Sequence, residues 1–190
     1  MYYQENYHEV CDQVMAEIKK TLDSIDPASV ERLTQDILAA EQVFFVGVGR
    51  VMLSLQAICK RLCHLGVKAN YVGAINEPAI TKKDLLIVGS GSGESLFPLG
   101  IARKARAAAD CRIVHIGSNP DSSMKEVADY MVRIPVRTKL YLADEVDSCQ
   151  IMTSLFDQSL LLLGDVIAKM IVEERKLVMK DLWQYHANLE

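Results

Sequence analysis

Five short apolar runs, separated by helical sequence, constrain the fold of this 190-residue chain more than any other feature. Apolar runs of this length without polar alternation are typical of strands that are buried on both faces of a parallel sheet. Strands that alternate with helices predict an α/β fold, with a parallel sheet covered by helices on both faces. The runs lie at residues 43–47, 69–72, 84–89, 112–117 and 130–134.

Helical spacing fills both ends of the chain, and the whole chain, residues 1–190, is expected to form one domain. Residues 1 to about 40 predict two helices, with Asp26 as a cap and Pro27 at the first position of the second helix. Residues 150–190 predict a long helix to about residue 174 and a last helix from about residue 177. Because the long helix is apolar nearly all round, we expect a homo-oligomer, either a dimer or a tetramer.

Composition excludes several classes of protein. The formal net charge of −4 and the lack of a basic patch argue against a nucleic-acid partner. The most apolar stretch, residues 160–172, is interrupted by charged residues and is too short to span a membrane. The five cysteines form no CxxC motif and no signal peptide is recognised, so a cytoplasmic location is expected. Cys59 and Cys63 are expected to be core residues, and no metal site is predicted.

The segment Val88–Ser95 follows the third apolar run and precedes a helical pattern. Backbone N–H groups at a helix start favour an anion, and glycines let the backbone approach that anion closely. We therefore predict a phosphate site, although an ordinary turn capped by Ser95 is the alternative. The predicted phosphate ligands are the three serine hydroxyls and two glycine amides, from Ser90, Gly91, Ser92, Gly93 and Ser95.

A second glycine turn, Gly47-Val48-Gly49-Arg50, follows the first apolar run. Gly49 and Arg50 are predicted to contact the ligand, because the carboxyl ends of parallel strands gather at one edge of a sheet. A dinucleotide-binding protein is an alternative interpretation of this turn. The third glycine of that fingerprint is missing, which weakens the alternative.

With both turns placed, the sequence resembles the sugar isomerase (SIS) domain family, and within it most closely the 6-phospho-3-hexuloisomerases. The resemblance covers nearly the whole chain. It rests on a G-x-G-R turn, an R-L-x-H-L-G helix end, a serine loop of the S-G-S-G-E-[ST] type, and the chain end H-A-N-L-E. The residues that carry it are 47–50, 61–66, 89–95, 122–123 with 127–129, 154–158 and 186–190.

The resemblance implies a three-layer αβα fold around a five-stranded parallel sheet, usually assembled as a dimer or tetramer. It also implies a reaction without a cofactor, the interconversion of D-arabino-hex-3-ulose 6-phosphate and D-fructose 6-phosphate through an enediol, in the ribulose monophosphate route. Such a reaction needs a base, an acid and a clamp for the phosphate.

Three residues are predicted to be catalytic. Glu94 lies inside the serine loop, where the family carries a glutamate, and its alternative role is to cap the following helix. His186, expected in a C-terminal helix, is predicted to reach a neighbouring subunit's site, with a plain surface histidine as the alternative. Asp157 lies on an apolar helix, and Arg50 could either pair with it or hold the substrate.

The sequence departs from the family pattern at two places. Val51 and Met52 follow Arg50 where the family usually continues with Ser-Gly, and Asp157 stands where the family has glutamate. These differences leave open an isomerase with another phosphosugar substrate. A sugar-phosphate sensor is a further alternative, although the chain carries no helix-turn-helix segment.

Overall fold

The computed structural model describes residues 2–189, so Met1 and the predicted motif residue Glu190 lie outside the described residues. The chain begins with α1 (Tyr2–Asp23) and α2 (Pro27–Ala39). Asp26 caps α2 as predicted, because its carboxylate accepts hydrogen bonds from the N–H groups of Ala28 and Ser29. Pro27 occupies the start of α2, where its missing N–H costs nothing.

The predicted strands form a five-stranded sheet with the order β2-β1-β3-β4-β5. Every pairing in the sheet is parallel. The five runs therefore predicted the strands. The three inner strands β1, β3 and β4 are buried on both faces and have no polar side to show in the sequence, whereas the edge strands β2 and β5 are only partly buried. The strands are β1 (Val43–Val46), β2 (Ala69–Tyr71), β3 (Leu85–Gly89), β4 (Arg112–Gly117) and β5 (Tyr130–Arg133).

Helices cover the two faces of the sheet and form two apolar cores. Alternate strand residues such as Phe45 and Ile87 pack on one face against α1, α2, α3 (Gly49–Cys63) and α5 (Ser154–Glu174). The intervening residues, such as Phe44 and Leu86, pack on the other face against α4 (Leu96–Ala109). A short 3-10 helix at Ser123–Glu126 also packs on this second face. The layers are those of the predicted αβα sandwich.

The apolar helix α5 is largely covered by its own chain. It packs chiefly against α3 and also against α1 and α2. Leu163, at the centre of the helix, is 3% exposed and belongs to the first core. The expectation that this helix needs a partner subunit for cover is therefore wrong for Leu163. The smaller exposed remainder includes Val166 and Met170.

The C-terminal segment differs from the prediction. The long helix begins at Ser154 rather than near residue 150, and the last helix is only a 3-10 helix, Asp181–Tyr185. Trp183 and Tyr185 are 70% and 45% exposed, so little packed apolar surface stabilises a longer helix there. His186 therefore follows the 3-10 helix with an extended backbone and is not helical. Among residues 2–189, no helix is both long and apolar enough to cross a membrane.

Candidate active site

One edge of the sheet carries the predicted site, because all the strands end there in the same direction. The turn after β1 leads into α3, and the serine loop after β3 leads into α4. The start of α5 reaches the same edge, since a Cβ placed on Gly91 would lie 3.9 Å from the ring of Phe156. Three helix starts therefore surround the carboxyl ends of β1 and β3, and their N–H groups favour an anion there.

The serine loop, residues 90–95, is held by hydrogen bonds within itself. Ser90 is 3% exposed, and its hydroxyl accepts a hydrogen bond from the Gly93 N–H and donates to the Ser95 hydroxyl at 3.3 Å. The Ser92 hydroxyl accepts a hydrogen bond from the Glu94 N–H. Gly93 has a φ of +68°, a left-handed conformation that favours glycine. The Gly93 amide, predicted to bind phosphate, is engaged inside the loop in this structure.

The segment after β4 braces the serine loop from one side. The N–H groups of Ser118 and Asn119 donate to the carbonyl of Gly91 at 2.9 and 3.1 Å. The Asn119 side-chain amide donates to the carbonyl of Ser92 at 3.3 Å. Because a peptide unit is planar and trans, the Ser92 N–H points away from the side to which the Gly91 carbonyl is tied. The brace therefore turns the Ser92 amide toward the face opposite residues 118–119.

Ser118 and Asn119 were not among the residues predicted from the sequence. The signal for them was present, since they directly follow the carboxyl end of β4 beside β3. The rule that placed the first two loops at the functional edge applies equally to this third one.

Glu94 contacts the protein rather than the open face of the loop. Its carboxylate accepts a hydrogen bond of 2.6 Å from the Ser123 N–H, at the start of the 3-10 helix Ser123–Glu126. The hydrogen bond from Ser123 lowers the pKa of Glu94. The side chain therefore links the serine loop to the segment after β4.

Arg50 and Asp157 form an ion pair between the starts of α3 and α5. The Arg50 Nε lies 2.9 Å from Oδ2 of Asp157, whose side chain is 4% exposed. The other carboxylate oxygen, Oδ1, is buried without a hydrogen-bond partner among residues 2–189. Burial raises the pKa of Asp157 above the usual range of an aspartate, and the hydrogen bond and charge of Arg50 oppose that rise. Of the two roles considered for Arg50, the structure shows the pairing with Asp157.

His186 lies at the other end of the same helix pair. Its ring stacks on that of His64, with 5.2 Å between ring centroids, and lies 5.1 Å from the ring of Trp183. His64 caps the C-terminus of α3, whereas Arg50 lies in its first turn. At 1.5 Å per residue these two positions are about 20 Å apart. Within one chain, His186 and Asp157 are therefore not brought together.

A large open cavity lies beside His186, away from the serine loop. Its volume is about 990 Å³, and Arg61, His64, Lys169, Trp183 and His186 contribute to its walls. Across the described part of the chain, no group of three or more His, Cys, Asp and Glu side chains is arranged to hold a metal ion.

Comparisons with known proteins agree with this architecture. The chain is similar to a 3-hexulose-6-phosphate isomerase of Bacillus subtilis, with 33% identity over 94% of this chain and 96% of the relative. It is also similar to the crystal structure of a Methanococcus jannaschii protein from which 3-hexulose-6-phosphate isomerase function was inferred. That similarity has a TM-score of 0.80 and 28% identity, and covers 96% of this chain and 99% of the other.

A solved structure with lower sequence identity, that of an Escherichia coli protein, is similar in fold. Its TM-score is 0.78 at 20% identity, over 96% of this chain and 98% of that one. No protein-family model matches the chain.

Proposed function

The chain belongs to the 3-hexulose-6-phosphate isomerase family and is a phosphosugar isomerase; from that premise we propose that it interconverts D-arabino-hex-3-ulose 6-phosphate and D-fructose 6-phosphate. The observation that carries this proposal is that a hydroxyl-rich loop and the start of α5, which carries a buried carboxylate with one unpaired oxygen, lie at the same edge of the sheet. The loop is suited to a phosphate, and the Asp157 carboxylate is suited to a proton transfer at the sugar carbons.

In the proposed complex the serine loop holds the phosphate group. The hydroxyls of Ser92 and Ser95 keep their protons for an anion, because each accepts a hydrogen bond inside the loop. The Ser92 N–H and the start of α4 add further positive potential. Binding energy from the phosphate then fixes the reacting carbons at the other end of the substrate.

Asp157 is the proposed base. Because burial raises the pKa of Asp157 toward neutral pH, its ionised carboxylate is a stronger proton acceptor than that of an exposed aspartate. The carboxylate takes the proton from C2 while the C3 carbonyl oxygen is protonated, which gives the 2,3-enediol. Loss of the O2 proton and return of a proton to C3 then produce the 2-ketose. Atoms and electrons balance without an external oxidant or reductant.

Arg50 covers Asp157 in this structure, and its own side chain is 68% exposed. Such an exposed guanidinium can turn toward substrate hydroxyls when the sugar enters. Glu94 remains a predicted catalytic residue, but its bond to Ser123 supports a role in holding the loop.

The proposed acid is His186 from a second copy of the chain. Within one chain His186 stacks on His64 at the C-terminus of α3, about 20 Å from the first turn of α3 near the serine loop. A direct role for His186 therefore requires another subunit. A homo-oligomer, dimer or tetramer, is therefore part of the proposal. The exposed apolar side chains of α1 support association, since Tyr3, Tyr7 and Val10 are 86%, 62% and 48% exposed.

We further place the reaction in the ribulose monophosphate route and in the cytoplasm. The family supports the first assignment. The second is supported by five free cysteines, which suit a reducing compartment.

One observation favours a second candidate, an isomerase of another phosphosugar. Val51 replaces the hydroxyl residue of the family turn, and a Cβ placed on Gly89 would lie 2.9 Å from its Cγ1. The Val51 side chain therefore packs against the end of β3 and offers no donor to a sugar. Asp157 also reaches one methylene less far than the family's glutamate.

A coupled assay tests the proposal directly. Purified protein with hexulose 6-phosphate is expected to form fructose 6-phosphate, measured through a dehydrogenase-linked readout. Thermal-shift titrations with fructose 6-phosphate, inorganic phosphate and NAD provide the control for ligand class. Formation of no fructose 6-phosphate, with stabilisation by another phosphosugar, would favour the second candidate.

A further inference from the structure

From the packing beneath the serine loop, we infer that His115 is a positioning residue for phosphate binding, acting through a hydrogen bond from its Nε2–H to the carbonyl of Ser90. This inference rests on the proposed function of the serine loop. It concerns a residue whose side chain does not reach the ligand, since His115 is only 2% exposed.

The hydrogen bond joins β4, the neighbour of β3, to Ser90, the first residue of the serine loop. His115 lies within β4, opposite Val88 of β3, and its Nε2 is 2.9 Å from the Ser90 carbonyl oxygen. The same oxygen accepts a hydrogen bond of 3.2 Å from the Gly93 N–H, which closes the loop. The imidazole therefore donates to the same carbonyl oxygen that accepts the hydrogen bond closing the Ser90–Gly93 turn.

The ring also fills the space under the loop. A Cβ placed on Gly117 would lie 2.3 Å from Nε2 of His115, and one on Gly93 would lie 3.1 Å from its Cε1. Contacts shorter than about 3 Å leave no room for a side chain at residue 117. Glycine at this position and histidine at residue 115 are therefore matched in shape. The ring cannot move toward β4's end without meeting the backbone.

Chemistry fixes the form of the imidazole. A carbonyl oxygen only accepts hydrogen bonds, so Nε2 must carry the proton. Burial lowers the pKa of His115, and the Ser90 carbonyl only partly opposes that shift, so the ring is neutral at neutral pH. A neutral Nε2–H tautomer donates to the loop without placing a buried charge beneath it.

The test compares two amide substitutions in the full-length protein. His115→Gln can place an amide nitrogen near the position of Nε2, whereas the shorter His115→Asn cannot. Loss of one neutral hydrogen bond corresponds to roughly a two- to tenfold weakening of binding. We expect His115→Asn to weaken binding of inorganic phosphate and to raise KM by such a factor with kcat within about twofold. We expect His115→Gln to restore most of the affinity.

Ile113→Val is the matched control, because Ile113 is a buried residue on the same face of β4 but belongs to the core below. It is expected to lower the unfolding temperature without changing phosphate affinity. Thermal unfolding of each variant shows that it is folded. Nitrogen-15 NMR of the wild-type protein is expected to show a neutral Nε2–H ring.

Three results would overturn the inference. These are unchanged phosphate affinity in folded His115→Asn, equal losses in the asparagine and glutamine variants, and an Nδ1–H tautomer. A wild-type protein that binds phosphate but does not convert hexulose 6-phosphate would instead refute only the proposed substrate. The affinity comparison would still decide the role of His115.

Discussion

The guanidinium of Arg50 lies 2.9 Å from a carboxylate that is almost wholly buried, that of Asp157. The same two helices carry a second ion pair with the same Nε to Oδ distance, between Arg61 and Asp165. Its side chains are 51% and 47% exposed, so water screens that pair. The two pairs have the same Nε to Oδ distance but differ in the burial of the carboxylate. The Arg61–Asp165 pair therefore serves as a control for the effect of burial on the Arg50–Asp157 pair.

Replacing Arg50 by methionine is expected to move the acid limb of kcat/KM to higher pH. The arginine opposes the rise in the pKa of Asp157 that burial causes, so its removal lets that pKa rise further. A carboxylate base is active only when ionised, so activity at acidic pH falls. Arg61→Met is the control and is expected to leave the acid limb in place. If the acid limb of the Arg50→Met protein lies at the same pH as that of the wild type, Asp157 is not the base.

Ser92→Asp is expected to weaken binding of fructose 6-phosphate at least tenfold, about 1.4 kcal/mol, because it places a negative charge in the serine loop. The new carboxylate can still accept the hydrogen bond from the Glu94 N–H, so the loop should fold. Calorimetry measures the affinity. Ser24→Asp, at an exposed serine after α1, serves as the charge control. Equal affinities in the two variants would show that the loop is not the phosphate site.

His186→Ala is expected to reduce kcat by about 10²–10⁴-fold while leaving phosphosugar binding largely intact, if His186 acts as the acid. Mixed oligomers of His186→Ala and Ser92→Asp subunits should recover part of the activity, because some sites receive both intact groups. His8→Ala, at an exposed histidine of α1, is the control. Full activity of the His186→Ala protein alone would exclude this histidine from the mechanism, and no recovery in verified mixed oligomers would exclude a shared site.

Tyr7→Glu is expected to dissociate or weaken the proposed oligomer, because it places a charge within the exposed apolar face of α1. Multi-angle light scattering measures the mass of the wild-type and variant proteins. Glu5→Gln, on the same helix, is the control. A monomeric wild-type protein would contradict the oligomer itself, and an unchanged mass for Tyr7→Glu would place the interface elsewhere.

Glu17→Gln is expected to remove part of the acid sensitivity of folding. Burial alone would raise the pKa of Glu17, but hydrogen bonds from Cys149, Ser148 and Gln150 lower it to about 2. The folded pKa lies below the unfolded value near 4.3, so this stabilisation is present above about pH 5 and is lost as the pH falls toward 2.

Urea unfolding at about pH 7 and about pH 3.5, on either side of the unfolded pKa, measures this effect. The Glu17→Gln protein should be less stable than wild type at the higher pH, and the difference should shrink at the lower pH. Glu9→Gln, an exposed position of the same helix, should show no such pattern. An equal difference at both pH values would mean that the Glu17 charge contributes nothing.

The centre of the sheet could be predicted from the sequence because its inner strands are covered on both faces, as at Phe44 and Phe45 of β1. An uninterrupted apolar run is then the only pattern that such a strand can show. The end of the chain could not be predicted in the same way. Apolar residues such as Trp183 indicate a packed helix by their spacing, but the spacing does not show that this side chain stays 70% exposed.

The candidate site was predicted in its loops and not in its contacts. Glycine and serine indicate an anion site locally, whereas the partner of Glu94 lies in a distant segment at Ser123. The pairing of Arg50 with Asp157 was one of two alternatives, because these residues are also far apart in the sequence. The contact of His115 with the Ser90 carbonyl could not be predicted either, because a histidine inside an apolar run gives no sign of which loop lies over it.

The order of the strands has a consequence for how the chain folds. At the centre of the sheet β1 lies beside β3, with Val43 opposite Leu85, so no strand there can pair with a hairpin neighbour. Parallel pairings of this kind are non-local and slow to form. During synthesis, Phe44 and Phe45 must leave the ribosome well before their partners exist. The nascent chain is therefore expected to expose the apolar strand β1 until β3 and the serine loop have been made, which is the period when chaperone binding would matter most.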